Sequence, residues 1–279
     1  MKKNLVDVQG SPDSRGITIQ RVGVKEVHLP LEILCKDASY QHVLANISLC
    51  ADLSHKYRGT HMSRFMEILT EYRKKKFSSL QIQQVLSDVT KKLSAKNAQI
   101  SVKFKYFVQK KAPVSRLKSI LDYDCMFYGI LEKDLFSFIL GVKVPVQLVC
   151  PCSKEISLEG AHNQRAIVKV NLECKPDNLI WIEDLVSLVE SKASSGVYPL
   201  IKREDEKYIT EHSYDNAKFV EDVTRDLVDF FRKDKKIRWF EVECDSYESI
   251  HNHNAFAFHE ELLEPDSEEG LLPVPDMYF

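Results

Sequence analysis

With 279 residues, 44% of them hydrophobic, the chain can bury one large core or two of ordinary size, and disorder is not the default. Its 39 basic and 41 acidic residues balance, which excludes a nucleic-acid-coating surface and any whole-protein field that would steer polyanions, so a phosphate site must be local. No apolar stretch follows Lys2 and Lys3, no other run approaches bilayer length, and the seven cysteines are scattered; a soluble cytoplasmic protein with free thiols is expected.

The first strand signal runs from Ile17 to about Leu34, with a break expected at Pro30, and a second runs from Val43 to Leu53. Helical spacing follows: Phe65, Ile68, Leu69 and Tyr72 recur at i, i+3, i+4 and i+7, and Ile82, Val85, Leu86, Val89 and Leu93 repeat the pattern. From Ile100 to Val108 the period changes to two, and another extended segment spans Leu117 to Leu131. Val142, Val144, Val146 and Leu148 then share one strand face, a loop runs from Cys150 to His162, and Ile167 to Cys174 returns as a strand. Two further apolar stripes, Ile182/Leu185/Val186/Val189 and Val220/Val223/Leu227/Phe231, predict helices, with Asp177 and Asn178 as candidate N-caps for the first. Strands from Ile237 to Cys244 and from Ser249 to about Leu262 complete the order.

The order strand, strand, helix, helix, strand, strand thus occurs twice, over residues 1–133 and 134–279, without residue-level identity between the halves. Each half is expected to form a four-stranded antiparallel sheet with two helices on one face, an α+β arrangement. Exposed sheet edges are an aggregation hazard unless paired, so edge-to-edge joining, within the chain and between subunits, predicts an oligomeric barrel.

The residues with chemistry fall into four groups. Cys150-Pro151-Cys152-Ser153-Lys154-Glu155-Ile156-Ser157 and Gly160-Ala161-His162-Asn163-Gln164-Arg165 place two thiols and an imidazole across one loop, where they could converge on a metal or on a substrate carbon. The bland alternative, a cysteine ending one strand and a surface histidine starting the next, is outweighed by the dense polar residues around both thiols. His251 and His253 would share a strand face and serve as ligands or proton carriers. Glu221 follows Phe219 and Val220 on a helix that faces the sheet, where a carboxylate can accept N1–H and the exocyclic amine of a guanine. The run Arg58-Gly59-Thr60-His61-Met62-Ser63-Arg64 at a helix entrance would suit a triphosphate, against the plainer reading of a capped helix with surface arginines. Lys202 to Lys207 reads as a solvated charged loop.

Together with Asp13-Ser14-Arg15-Gly16, these stretches give the chain, over nearly its whole length, a resemblance to GTP cyclohydrolase type IB, a tunnelling-fold family. The Cys-Pro-Cys block with its Gly-Ala-His-Asn-Gln-Arg partner is the most specific part of the match. The resemblance implies tandem tunnelling-fold modules assembled as a homotetramer. It also implies a divalent ion, Zn²⁺, Mn²⁺ or Fe²⁺, held by Cys150, His162 and Glu206, with Cys152 as an essential thiol and Glu221 as guanine anchor. His251 and His253 would transfer protons, or His251 would be a ligand, while His61, Ser63 and Arg64 remain the substrate-binding candidates at the helix entrance. The implied reaction converts GTP and water to 7,8-dihydroneopterin triphosphate and formate, for folate or deazapurine synthesis. One departure is Glu204, where the family pattern Lys-Arg-Pro-Asp-Glu has proline. The competing readings are a thiol-dependent nitrile reductase of the same superfamily, which would consume NADPH and release no formate, and a non-enzymatic metal-binding oligomer, which would bind metal without turnover.

Overall fold

The computed structural model describes residues 7–73 and 75–263, an α+β chain with mostly antiparallel sheet and, among those residues, six helices. It divides into two compact units, Met1–Phe104 with Met126–Phe138, and Lys105–Cys125 with Ile139–Phe279. The first unit contains β1 (Ile19–Leu34), β2 (Tyr40–Leu53), α1 (Met62–Tyr72), β3 (Lys76–Phe77) and α2 (Ser79–Leu93). Three long strands, β4 (Asn97–Lys111), β5 (Lys118–Glu132) and β6 (Leu135–Val149), contribute residues to both units.

In the first unit the strand order is β5-β4-β2-β1-β3. β1 is antiparallel to β2, which is antiparallel to β4, and β3 adds a short parallel pairing at Glu32 and Ile33. The expected break at Pro30 does not occur. Pro30 stays in register opposite Leu44, because on its other side β1 is paired, among the described residues, at Glu32 and Ile33, and a missing N–H beyond that pairing costs no ladder bond. The irregularity lies earlier, where Glu26 at φ 57° accompanies a register shift between Val24 and Val27, a β-bulge. α1 buries Phe65, Ile68, Leu69 and Tyr72, and α2 buries Ile82, Val85, Leu86 and Val89, as the spacing requires. α2 lies so close to β5 that a Cβ at Gly129 would stand 2.3 Å from the Ile82 Cγ2 methyl. β5 turns into β6 through Lys133 and Asp134, at φ 49° and 70°, the backbone demanded by a tight primed hairpin turn.

The second unit adds α3 (Pro151–Ile156), β7 (Asn163–Cys174), α4 (Ile182–Lys192), β8 (Ser195–Gly196), α5 (Arg203–Asp215), α6 (Val220–Lys233), β9 (Ile237–Ser246) and β10 (Ala255–Leu262). Its strands run β10-β9-β7-β6, each pair antiparallel, with β8 laid on β6 at Val146 and Gln147. α6 packs over β9 and β10 and fully buries Val223, Leu227 and Phe231, with the Phe231 ring 5.1 Å from that of Phe240. Each such side chain contributes about 1.5–3 kcal/mol of transfer free energy.

Three local expectations are corrected here. The stretch from Lys202 to Lys207 opens helix α5 rather than a loop; apart from Asp205 and Ser213 it buries nothing, so it carries no apolar stripe to betray it. α4 starts at Trp181 without a side-chain cap, while Asp177 occupies a positive-φ turn (63°) and Asn178 bonds the Pro176 carbonyl (3.0 Å). The last strand begins at Ala255 rather than Ser249, which leaves His251 and His253 in the preceding bend.

Polar ties complete the second unit. Lys110 and Glu190 form a buried ion pair, Tyr123 donates its hydroxyl to Glu190 (3.1 Å), and the Lys110 ammonium stands 4.8 Å from the Tyr198 ring centre. Asp205 has no exposed surface, and its carboxylate accepts the N–H groups of Val114 (2.8 Å), Ser115 (2.9 Å) and Lys202 (2.9 Å) and the Ser115 hydroxyl (2.6 Å). Burial alone would push this carboxyl up, but the four donors outweigh it and hold it well below the ordinary carboxylate range.

Two outcomes follow for stability. Leu227→Ala should lose about 2–5 kcal/mol in chemical denaturation, since it opens a cavity beneath α6. Asp205→Asn should destabilise the protein at pH 7. A lowered folded pKa gives stability that is complete above the unfolded value of about 4 and is lost as pH falls through the folded value, so the deficit should shrink in denaturation curves taken below pH ~4. A deficit independent of pH would contradict an ionised Asp205.

Candidate active site

Hydrogen-bond register brings the first cluster together. β6 pairs with β7 up to Val149 opposite Asn163, and one step further the Cys150 N–H donates to the His162 carbonyl at 3.1 Å. Cys150 is the N-cap of α3, where its sulfur accepts from the Ser153 N–H (3.4 Å) and Pro151 fills the first helical position, which needs no donor. The His162 N–H in turn donates to the Ser153 hydroxyl (3.3 Å). Gly160, at φ 76°, supplies the left-handed turn that returns the chain to His162. The end of β6 is held in place by the Ser194 hydroxyl, which accepts the Val149 N–H (3.1 Å), and by the Lys218 N–H, which donates to the Val149 carbonyl (3.0 Å).

The His162 ring is oriented by partners that the sequence reading did not single out. Its Nδ1 lies 3.0 Å from Gln164 Oε1, and Gln164 Nε2 donates to Glu248 (3.3 Å), which also accepts the Ser246 hydroxyl (2.9 Å). An amide oxygen facing Nδ1 calls for a proton there, which leaves Nε2 of the neutral ring as the lone-pair donor. The bend that carries His251 and His253 begins at Ser249, the residue after Glu248. Their rings stack at 5.0 Å with 19° between planes, so the pair is together although it is not on a strand.

Cys152 is exposed on α3, and α3 is tied to α5 by the Lys154 ammonium, which donates to the Tyr214 carbonyl (2.6 Å). Glu206 is exposed in the first turn of α5, directly after the anchored Asp205. Among the described residues no three His, Cys, Asp or Glu side chains gather in a metal-holding group. The thiol and imidazole of Cys150 and His162 fit a divalent ion with sulfur and nitrogen ligands, but this chain by itself does not bring Glu206 to them.

Glu221 is exposed in the first turn of α6, whose start is fixed by Asp222 accepting the Phe219 N–H (3.0 Å). At the α1 entrance, His61 Nε2 stands 3.3 Å from Asp7, Ser63 is exposed, and Arg64 donates to the Lys92 carbonyl at the end of α2 (3.0 Å). Residues 9 to 13 lie along this entrance: the Arg58 and Gly59 N–H groups donate to Ser11 and Gln9, and Gln9 donates to the Thr60 carbonyl. The Lys92 bond uses one guanidinium nitrogen of Arg64, Nη1. No helix among the described residues is long and apolar enough to cross a membrane.

The thiols differ in environment. Burial pushes Cys174 up to about 11 and Cys244 up to about 12, the latter aided by Asp245 and Glu221, and burial raises Cys125 well above the ordinary thiol value. Iodoacetamide at pH 8 should therefore modify exposed Cys152 well ahead of these three, as read by peptide mass spectrometry; equal labelling would contradict the described burial.

The family described as "Type I GTP cyclohydrolase folE2" matches residues 5–257. A GTP cyclohydrolase FolE2 of Geobacter sp. (strain M21) is 47% identical over 256 residues, 92% of this chain and 94% of the relative. That of Geotalea uraniireducens is 48% identical over 269 residues, 96% of each chain. Among solved structures, uricase from Arthrobacter globiformis superposes with a TM-score of 0.52 over 91% of this chain and 96% of its own, at 7% identity, a likeness of fold alone.

Proposed function

Because the chain belongs to the type I GTP cyclohydrolase FolE2 family, we propose that it is a metal-dependent enzyme converting GTP and water to 7,8-dihydroneopterin triphosphate and formate. The observation that carries the reading is the hydrogen bond between Cys150 and His162, which sets a thiol and an imidazole on neighbouring backbone positions, with the exposed Cys152 two residues on. Cys150 and His162 would hold the ion, with Glu206 as third ligand once the site is complete. A bound Zn²⁺, Mn²⁺ or Fe²⁺ would supply Lewis acidity and an activated water at neutral pH.

The protein groups have separate tasks. Glu221 would accept N1–H and the exocyclic amine of guanine and so orient the imidazole ring of the purine toward the thiols. Hydrolysis at C8 breaks two C–N bonds and releases that carbon as formate, and each step moves protons between ring nitrogen, water and sugar. The stacked pair His251 and His253, on the bend that follows the Glu248 that orders His162 through Gln164, is suited to carry them. Cys152 would act beside the reacting carbon. His61, Ser63 and Arg64 remain candidates for the triphosphate, Arg64 through the guanidinium donors that its Nη1 bond to the Lys92 carbonyl leaves over. We place the enzyme in the cytoplasm as a homotetramer of two tunnelling-fold modules, 1–133 and 134–279, with its product passing to folate or deazapurine synthesis.

Metal-reconstituted protein incubated with GTP should release formate and, after oxidation, fluorescent neopterin, and a chelator should stop both. Cys150→Ala should lose metal and activity together, whereas Cys152→Ala should lose activity while keeping most of its metal by elemental analysis. No formate with any of the three metals would overturn the cyclohydrolase reading, and equal metal loss in both variants would overturn the division of labour between the thiols.

A further inference from the structure

Between α6 and β10 of the second unit lies a groove of about 370 Å³, at the small end of the roughly 300–1,000 Å³ of ligand pockets, which suits a heterocycle rather than a whole nucleoside triphosphate. Its helix wall is the stripe Glu221, Arg225, Val228 and Arg232, spaced i, i+4, i+7 and i+11, and its strand wall includes Ala257 and His259. These two face the helix because they pair with Cys244 and Val242, on the side of β9 where Phe240 meets Phe231 of α6. Phe258, opposite Glu243, points to the other face of the sheet. Glu221 acts electrostatically on the Cys244 thiol, so the carboxylate stands at the Ala257 end of the groove, where the strand contributes no side chain beyond a methyl group.

Five charged groups line the groove, and three of them are bound elsewhere. Asp229 accepts from the Lys233 ammonium (2.6 Å), Arg232 donates to Glu261 (2.8 Å), and His259 bonds the same Glu261 (2.9 Å). The other two are open. Among the described residues the Glu221 carboxylate has no hydrogen bond or ion pair, and Arg225 has no hydrogen bond and only a long ion pair, to Asp222 at 3.9 Å. A glutamate four residues before an arginine is the spacing at which helix side chains pair, so Asp222 draws the guanidinium toward itself and leaves the Glu221 carboxylate free.

One open acceptor and one open donor thus stand a single helical turn apart. The edge of guanine is their complement, with N1–H and the exocyclic amine as donors and O6 beside them as acceptor. We propose that Arg225 donates to O6 of the guanine whose N1–H and amine are taken by Glu221, which makes it a second specificity-determining residue for GTP. A purine with an amine at that carbon would bring two donors face to face and be rejected. The inference rests on the reading of Glu221 as guanine anchor.

Two analogues separate the contacts: 6-thioguanosine triphosphate replaces O6 by sulfur, a weak acceptor, and inosine triphosphate lacks the exocyclic amine. Dissociation constants of both and of GTP are measured by calorimetry at pH 7 with the full chain freed of metal, so that turnover does not intervene. The wild-type chain should bind the thio analogue about tenfold more weakly than GTP, as for the loss of one hydrogen bond to a charged group. Arg225 is 77% exposed, so its replacement leaves the packing of α6 intact. Arg225→Leu should weaken GTP by about tenfold and leave the thio analogue nearly unchanged, while the preference for GTP over inosine triphosphate stays. Arg225→Lys keeps a charged donor and should keep most of the preference for O6. Glu221→Ala should instead abolish the preference over inosine triphosphate. Equal weakening of GTP and the thio analogue in Arg225→Leu, as general attraction to the triphosphate would give, would overturn the O6 contact. So would an unchanged GTP constant, or a lysine variant without preference. A preference over inosine triphosphate that survives in Glu221→Ala would overturn the anchor reading instead.

Discussion

The geometry of the candidate site depends on the register of β6 against β7. Eleven consecutive pairs from Ile139 opposite Glu173 to Val149 opposite Asn163 run without a shift, and the Cys150–His162 hydrogen bond is the next step of that ladder. Side chains alternate between faces with a period of two, so a slip by one residue would send Val142, Val144 and Val146 out of the core. Burial of these valines, each without exposed surface, therefore also fixes which cysteine meets which histidine. Side chains placed at the end of a strand pair inherit their accuracy from the hydrophobic faces behind them.

Beyond the strand ends, polar contacts rather than apolar packing hold the site. The Cys150 sulfur caps α3, Ser153 ties α3 to His162, Lys154 ties it to α5, and Asp205 fastens the start of α5 to the backbone of Val114 and Ser115. Each is a buried or half-buried contact whose loss leaves unsatisfied groups, which costs more than the bond itself contributes. The residues beside them, Cys152, Glu206, Glu221 and the histidine pair, are exposed, so a rigid polar frame presents a set of open reactive groups.

Much of this was legible in the sequence because apolar periodicity reports core faces directly. The stripes of α1, α2, α4 and α6 and the eight long strands were all found from spacing, and the Cys-Pro-Cys and Gly-Ala-His-Asn-Gln-Arg stretches pointed to the family. What escaped has a physical pattern. α5 buries Asp205 and Ser213 and no apolar stripe; its signals were the three acids of its first turn and His212 in its last, which complement the helix dipole. Gln164 and Glu248 lie 84 positions apart, and neither composition nor spacing links them. The bond from Arg64 to the Lys92 carbonyl, and the bend that replaces a strand at His251, are likewise products of tertiary placement.

Because α5 buries no apolar flank and is secured at its two ends, by Asp205 at the first turn and by the Tyr214 carbonyl and Asn216 at the last, its opening exposes little nonpolar surface. Elements of that kind belong to the low-energy end of the local unfolding spectrum, and their amides exchange with solvent hydrogen before those of the surrounding strands. The helix that carries Glu206 can thus open locally without disturbing the valine ladder of β6.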